Sequence, residues 1–396
     1  MDARRARALI LLLAGLSMLG PFAIDTFFPA FPAMAAEFGA SPFAMQQTLS
    51  VYLIAYACMS LFHGGLSDAL GRRPVILVAL AGFGLASIGA ALAPSLNSLL
   101  VFRALQGLTA GAGVIVGRAI VRDCFEGARA QRVMSAISML FGIAPAVAPI
   151  VGGLLLALGW RSSFWFLAAL TLVLWIGCWR GLPETHPPSA RMPLRWQDWL
   201  ASYRMLGRDR RFVLLSFAAG ANFAALFTYI SAAPAFVFDI MGMNERQFGY
   251  FFVPVIGGMV LGAFVSGKLA GHAQPEVLLR RAYVLMLSAG LINLAYAALA
   301  PEVRWPWAVL PLMGISLGVA LAFPILSIRI LDLYPERRGS ASSLQMFLSL
   351  LINASVAGVV APLVQAKASG LALTALSMTI LGWILQSLAE RVRPRV

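Results

Sequence analysis

Long apolar runs of about 20 residues, separated by short polar stretches, repeat along nearly the whole chain. A helix needs about that length to cross a hydrocarbon core of roughly 30 Å. The pattern predicts twelve transmembrane helices, at 8–33, 46–66, 74–93, 97–121, 133–157, 162–181, 211–239, 247–267, 280–300, 305–329, 341–364 and 369–389. They leave no room for a soluble domain. The basic start, Arg4, Arg5 and Arg7, followed by an apolar run and by Ala33-Met34-Ala35, imitates a signal peptide. That run exceeds the usual core of about 7–15 residues and contains Pro21, Asp25 and Pro29, so it is read as the first helix.

Composition agrees with this solvent. Hydrophobic residues make up 60% of the chain and charged ones 12%, against roughly 25% charged in soluble proteins. The net charge of +14 would suggest nucleic acid if it were concentrated on a soluble module. Its distribution is topological instead. Of the 30 Lys and Arg, only Arg161, Arg246, Arg304 and Lys367 fall in outward loops, and Arg103 lies inside a span. The other 25 lie on the inward side, which places both termini in the cytoplasm by the positive-inside rule. No nucleic-acid partner is expected; the partner is the lipid bilayer.

The chain divides near 182–208, where Pro183, Pro187, Pro188 and Pro193 precede Trp196, Trp199, Leu200 and Tyr203. The i, i+3, i+4, i+7 spacing of those four, with arginines around them, predicts a helix in the inner headgroup layer. The expected organisation is therefore a six-helix bundle over 1–181, a cytoplasmic linker over 182–210 and a second six-helix bundle over 211–396. The halves match weakly at offsets of about 203–207: Pro29-Ala30-Phe31 with Pro234-Ala235-Phe236, Gly64 and Leu66 with Gly267 and Leu269, and Gly107 and Arg122 with Gly314 and Arg329. Parallel repeats of this kind are a transporter plan, with the substrate site near the midplane.

The loop after the second span reads Gly64-Gly65-Leu66-Ser67-Asp68-Ala69-Leu70-Gly71-Arg72-Arg73-Pro74. A basic cytoplasmic loop would account for Arg72 and Arg73 but not for the full spacing. That spacing resembles the G-x-L-x-D-x-x-G-R-R signature of the major facilitator superfamily. Leu99, Arg103, Gln106 and Gly107 in the fourth span resemble the second signature of its proton-driven members. Asp25-x-x-x-Pro29-x-x-Pro32, Gly117-Arg118-Ala119-Ile120-Val121-Arg122-Asp123 and Trp160-Arg161-x-x-Phe164 are similar to drug exporters of the bicyclomycin- and chloramphenicol-resistance (Bcr/CflA) type. Gly142, Pro145, Pro149, Gly152 and Gly153 in the fifth span resemble the antiporter signature, with Ala148 where that pattern has glycine. Ser60 and His63 stand where a glutamine and an aromatic residue are expected. The resemblance implies an all-α integral membrane protein with two pseudo-symmetric six-helix bundles around a central cavity. It also implies a signature loop, Gly64, Leu66, Asp68, Gly71, Arg72 and Arg73, that holds the halves together on the cytoplasmic side.

Two charges carry the candidate chemistry. Asp25 is the only acid placed deep in a span, and an intramembrane acid is a functional hypothesis by default. Arg103 is the only deep base. It either braces helices through backbone carbonyls or sits beside Asp25 as a proton-coupling partner. Phe22, Phe28, Tyr56, Asn222, Phe223, Phe227 and Tyr229 are expected to wall an apolar, aromatic substrate cavity. Cys58, Cys124 and Cys178 read as small apolar filler, and His63, His186 and His272 have no metal-ligand spacing. No nucleophile with a base lies within a span, so an enzyme is not expected. The leading expectation is proton-coupled antiport of amphipathic drugs by a monomer in the bacterial inner membrane, with protons as the coupling ion and no cofactor. The alternative on the same fold is a sugar or metabolite facilitator or symporter.

Overall fold

A computed structural model describes residues 3–125, 127–191, 196–269 and 272–392. Among them twelve helices are long and apolar enough to cross a membrane. The chain forms two compact units, Met1–Trp196 and Gln197–Val396, each carrying six of these spans.

The first unit contains α1 (Ala3–Asp25) and α2 (Phe31–Phe38), together one span, then α3 (Pro42–Leu70), α4 (Arg72–Ala91), α5 (Leu96–Cys124), α6 (Gly127–Leu155) and α7 (Arg161–Gly181). The second begins with α8 (Trp196–Arg208), which starts at the unit boundary. It continues with α9 (Arg210–Ser231), α10 (Gly249–Leu269), α11 (Pro275–Leu299), α12 (Leu310–Asp332), α13 (Arg338–Ser355), α14 (Ala361–Val364) and α15 (Ala368–Arg391). Helix α8 is the amphipathic segment expected from the tryptophan spacing, although the Trp196 side chain and Pro193 lie outside the described residues.

The sequence expects one continuous first span, and the structure breaks it. Helix α1 stops at Asp25, and a short 3-10 turn over Phe28–Ala30 leads into α2. Proline explains the stop: Pro29 lacks the N–H that would bond the Asp25 carbonyl, and its ring crowds that carbonyl. The eleventh span is interrupted too, by a π-helical stretch over Val356–Val360. A second π-helical stretch, Ala235–Ile240, follows Pro234 at the end of the seventh span.

Polarity is inverted relative to a water-soluble protein. Val78 and Leu85 on α4 are 73% and 69% exposed, whereas Arg103 and Gln106 on α5 are wholly buried. Only lipid accepts such a surface. With lipid outside, helices associate through close packing rather than hydrophobic drive, and small residues let backbones approach. A Cβ on Gly107 of α5 would overlap the Tyr52 carbonyl of α3, and one on Gly262 of α10 would overlap the Leu317 carbonyl of α12. These are corresponding helix pairs in the two units. The other pairings also repeat: α4 with α5 and α7 in the first unit, α11 with α12 and α15 in the second, and α1 with α6 as α9 with α13.

Candidate functional site

Asp25 ends α1 just before the break and is 3% exposed. Among the described residues its Oδ1 has no hydrogen-bond partner, and neither do Thr26 Oγ1 and the Tyr52 hydroxyl. Buried polar groups are normally satisfied, so three unsatisfied ones on neighbouring elements call for a reason beyond folding. Tyr52 lies close enough to both Asp25 and Arg103 to feel their charges.

Arg103 forms no ion pair with Asp25. Its Nε donates to the Thr48 carbonyl at 3.0 Å and its Nη1 to Gln106 Oε1 at 2.7 Å. Gln106 in turn donates to Ser87 at 2.8 Å. The guanidinium lies between two rings, 4.6 Å from the Phe27 centroid and 4.4 Å from that of Tyr52, a favourable cation–π arrangement. Arg103 therefore braces α3, α4 and α5, and reaches the Asp25 region through the rings of Phe27 and Tyr52 rather than through an ion pair. Sequence reasoning named Tyr56 and missed Tyr52. The signal available was their i, i+4 spacing on one helix face.

The expected cavity residues divide between the units. In the first, Phe22 contacts Phe166 with ring centroids 5.9 Å apart, Phe28 lies in a cluster with Phe27 and Phe31, and Tyr56 meets Tyr52. In the second, Phe223 stacks on Phe227, Asn222 donates to the Tyr283 hydroxyl at 2.8 Å, and Asn293 donates to Tyr229 at 2.7 Å. All are buried except Phe223, which is half-buried. The Asn222 amide and the Tyr229 phenol each find one partner within the second unit, while Asn222 Oδ1 has none among the described residues.

The signature loop forms a charge network inside the first unit. Arg72 pairs with Asp68, donates to Asp123 at 3.3 Å and donates to Ser67 at 2.6 Å. Gly64 and Leu66 are half-buried on the last turns of α3. Gly71 has φ +104°, a conformation side chains rarely adopt, and a Cβ there would also meet the Glu184 carboxylate. That carboxylate was not foreseen. It accepts from the backbone N–H of Arg72 at 3.0 Å and of Arg73 at 3.3 Å, capping α4 from 112 residues away. Thr185 donates to Asp123 at 2.7 Å, and Arg73 donates to the Trp179 carbonyl at 2.6 Å. The start of the expected linker is thus folded onto the signature loop.

A capping carboxylate contributes about 0.5–2 kcal/mol. Glu184→Ala should accordingly open the loop more often, speeding trypsin cleavage of the Arg72–Arg73 bond roughly tenfold, since about 1.4 kcal/mol is one power of ten. An unchanged cleavage rate would mean the cap does not hold the loop.

In the antiporter-like segment, Pro145 and Pro149 lie inside α6. A Cβ on Gly152 would overlap the Thr26 carbonyl, whereas one on Gly142 would meet nothing within 4 Å. Gly152 thus lets α6 close on the break beside Asp25. Gly153 next to it is half-buried.

Comparison with known proteins follows this geometry. The family model described as Major Facilitator Superfamily matches residues 11–358. The chain is 30% identical over 357 residues to the bicyclomycin resistance protein homolog of Haemophilus influenzae, covering 89% of this chain and 88% of that one. It is 27% identical to multidrug resistance protein D of Escherichia coli, over 97% and 95% of the two chains. The chloramphenicol resistance protein of Pseudomonas aeruginosa is 30% identical, over 80% and 75%. Among solved structures, an inward-facing bacterial homolog of the lysosomal transporter Spinster superposes with a TM-score of 0.79 at 17% identity, covering 99% and 98%. A D-xylose–proton symporter superposes with 0.74 at 14%, covering 96% and 97%. At that identity these two share the fold alone. The chain is a multi-pass membrane transporter of the major facilitator superfamily, belonging with its relatives of the bicyclomycin- and chloramphenicol-resistance type.

Proposed function

We propose that this transporter exports amphipathic small molecules across the bacterial inner membrane in exchange for protons, as a monomer working by alternating access. The observation that carries the reading is the Asp25 carboxyl: buried at a helix break, with an oxygen that has no hydrogen-bond partner among the described residues. Such a group can take up and release a proton without breaking an ion pair. Arg103 supports it indirectly, by fixing the ring of Tyr52. The names of the relatives, resistance to bicyclomycin, chloramphenicol and multiple drugs, favour export of drugs. The inward excess of Lys and Arg favours cytoplasmic termini. The buried aromatic residues on α1, α3 and α9 favour apolar substrates over sugars.

Exchange of charge gives the test. One charge moving down 100 mV releases about 2.3 kcal/mol, and about 1.4 kcal/mol is tenfold in concentration. In proteoliposomes, a neutral drug exchanged for one proton should be held out by between one and two powers of ten per 100 mV. A monovalent cation exchanged one for one moves no net charge and should respond to the pH gradient alone. A potential set by potassium and valinomycin should therefore drive a neutral phenicol and leave a monovalent dye cation unmoved. Accumulation of substrate on the side toward which protons flow would establish symport and overturn the reading.

A further inference from the structure

The second half of α3 buries polar side chains where a membrane helix ordinarily packs small or apolar ones. Between Ile54 and Leu70 its buried residues are Tyr56, Ala57, Ser60, His63 and Ser67, and only Ala57 lacks a polar group. With Tyr52 ahead of them, the polar members follow at spacings of four, four, three and four. Such spacings place all five on one face of the helix. Ile54 and Phe62, which point away from this line, are exposed.

The line has a carboxylic group at each end. Tyr52 begins it, close enough to Asp25 to feel its charge. Both phenols turn toward α1: a Cβ on Gly20 would stand 3.9 Å from the Tyr52 hydroxyl and 4.0 Å from the Tyr56 ring. Ser67 ends it, accepting from Arg72 Nη1 at 2.6 Å, and Arg72 pairs with Asp68, whose side chain is half-exposed. From Tyr52 to Ser67 the helix rises about 22 Å. Glycine on the facing helix makes room at the centre. A Cβ on Gly111 of α5 would stand 2.6 Å from the Tyr56 ring and 3.1 Å from His63 Nδ1. His63 is 2% exposed, and its Nδ1 has no hydrogen-bond partner among the described residues. A residue needed only for packing would be an apolar ring, because burying an unsatisfied polar atom costs stability.

We propose that this line carries the transported proton between Asp25 and the signature loop, with His63 as its relay. The inference rests on Asp25 being the coupling group. A neutral imidazole accepts a proton at one ring nitrogen and gives one up at the other, and a hydroxyl does both at one oxygen. Neighbours one turn apart on a helix are about 5–6 Å from each other, a gap that a single water bridges. One proton leaves the Asp25 carboxyl and one is delivered at the Asp68 end. Only O–H and N–H bonds are broken and formed, and every relay group returns to its starting state.

The test separates proton movement from substrate movement, using the full chain in proteoliposomes and a radiolabelled neutral phenicol. Exchange of labelled for unlabelled phenicol without a gradient moves no net proton, whereas export driven by a potential does. His63→Phe keeps a ring and His63→Gln keeps a polar group, and neither side chain passes a proton as imidazole does. Both variants should slow the initial rate of potential-driven export at least roughly tenfold, with KM and exchange unchanged. A thermal unfolding curve like that of the wild type shows that each is folded, and their different shapes keep one available if the other fails. A fall in exchange equal to the fall in export would make His63 a packing residue and overturn the relay. Full-rate export by a folded His63 variant, with export lost in Asp25→Asn, overturns the relay and leaves the coupling role of Asp25 standing. Full export by Asp25→Asn removes instead the reading on which the relay rests.

Discussion

Asp25→Asn should abolish uphill export while leaving the protein folded and able to bind its substrate. Asparagine has nearly the same shape, and the Oδ1 atom of Asp25 holds no hydrogen bond among the described residues that could be lost. The position is 3% exposed, and at such a site a neutral amide is tolerated at least as well as a charge. Folding and binding therefore give no reason for failure; only proton exchange does. In gradient-loaded proteoliposomes the variant should bring substrate to equal concentration on both sides, where the wild type sustains one to two powers of ten per 100 mV for a neutral substrate. A second measurement addresses the same atom. Adding substrate to purified wild-type protein in weak buffer should release protons, if drug and proton compete, and the variant should release none. Full gradient-driven export by Asp25→Asn would remove this residue from the mechanism.

The twelve spans were legible because hydropathy responds to the solvent, and lipid imposes a length on every apolar run. Their interruptions were legible only in part. Pro29 and Pro32 were visible beside Asp25, yet a proline inside an apolar run can bend a membrane helix or end it. The outcome depends on what receives the freed carbonyls, and neighbouring helices decide that. The π-helical stretches at Ala235–Ile240 and Val356–Val360 left still less trace.

Arg103 illustrates a different limit. Its rarity as a deep base marked it as important, and both of its readings, a backbone brace or a partner of Asp25, were open. Its clamp by Phe27, Tyr52, Thr48 and Gln106 joins three spans that no local spacing connects. Glu184 was missed for the same reason. Within a proline-rich stretch a single acid looks like a solvated linker residue, and its role as the cap of α4 depends on a contact 112 positions away. By contrast, the weak repeat at offsets near 203–207 was informative, because the helix pairings of one unit recur in the other. Glycines that permit close packing fall on α5 in the first unit and on α10 in the second, so the duplicated architecture keeps its close contacts while exchanging the residues that make them.

Two glycines of the antiporter-like segment should respond in opposite ways to one added methyl group. At Gly142 a Cβ meets nothing within 4 Å, and alanine is favoured over glycine inside a helix by about 1 kcal/mol. Gly142→Ala should be silent or slightly stabilising. At Gly152 the same Cβ would overlap the Thr26 carbonyl oxygen, with the Thr26 carbonyl carbon 2.8 Å away. A side chain could rotate aside, but this is backbone, held at the break between Asp25 and the Phe28–Ala30 turn. Overpacking of side chains costs typically about 1–3 kcal/mol, and a fixed backbone places this clash at the upper end or above. Helix α6 must then either withdraw from α1 or push the break and move Asp25. Gly152→Ala should thus lower thermal stability by about 3 kcal/mol or more and impair export even in the protein that remains folded. Cys178, wholly buried on α7 of the same unit, supplies the probe. In a Cys58→Ser, Cys124→Ser background, its labelling by a thiol-reactive fluorophore on heating reports unfolding of this unit. A transition for Gly152→Ala as high as that of Gly142→Ala would show that α1 and α6 have room between them, and that glycine at 152 is not what sets the position of the Asp25 break.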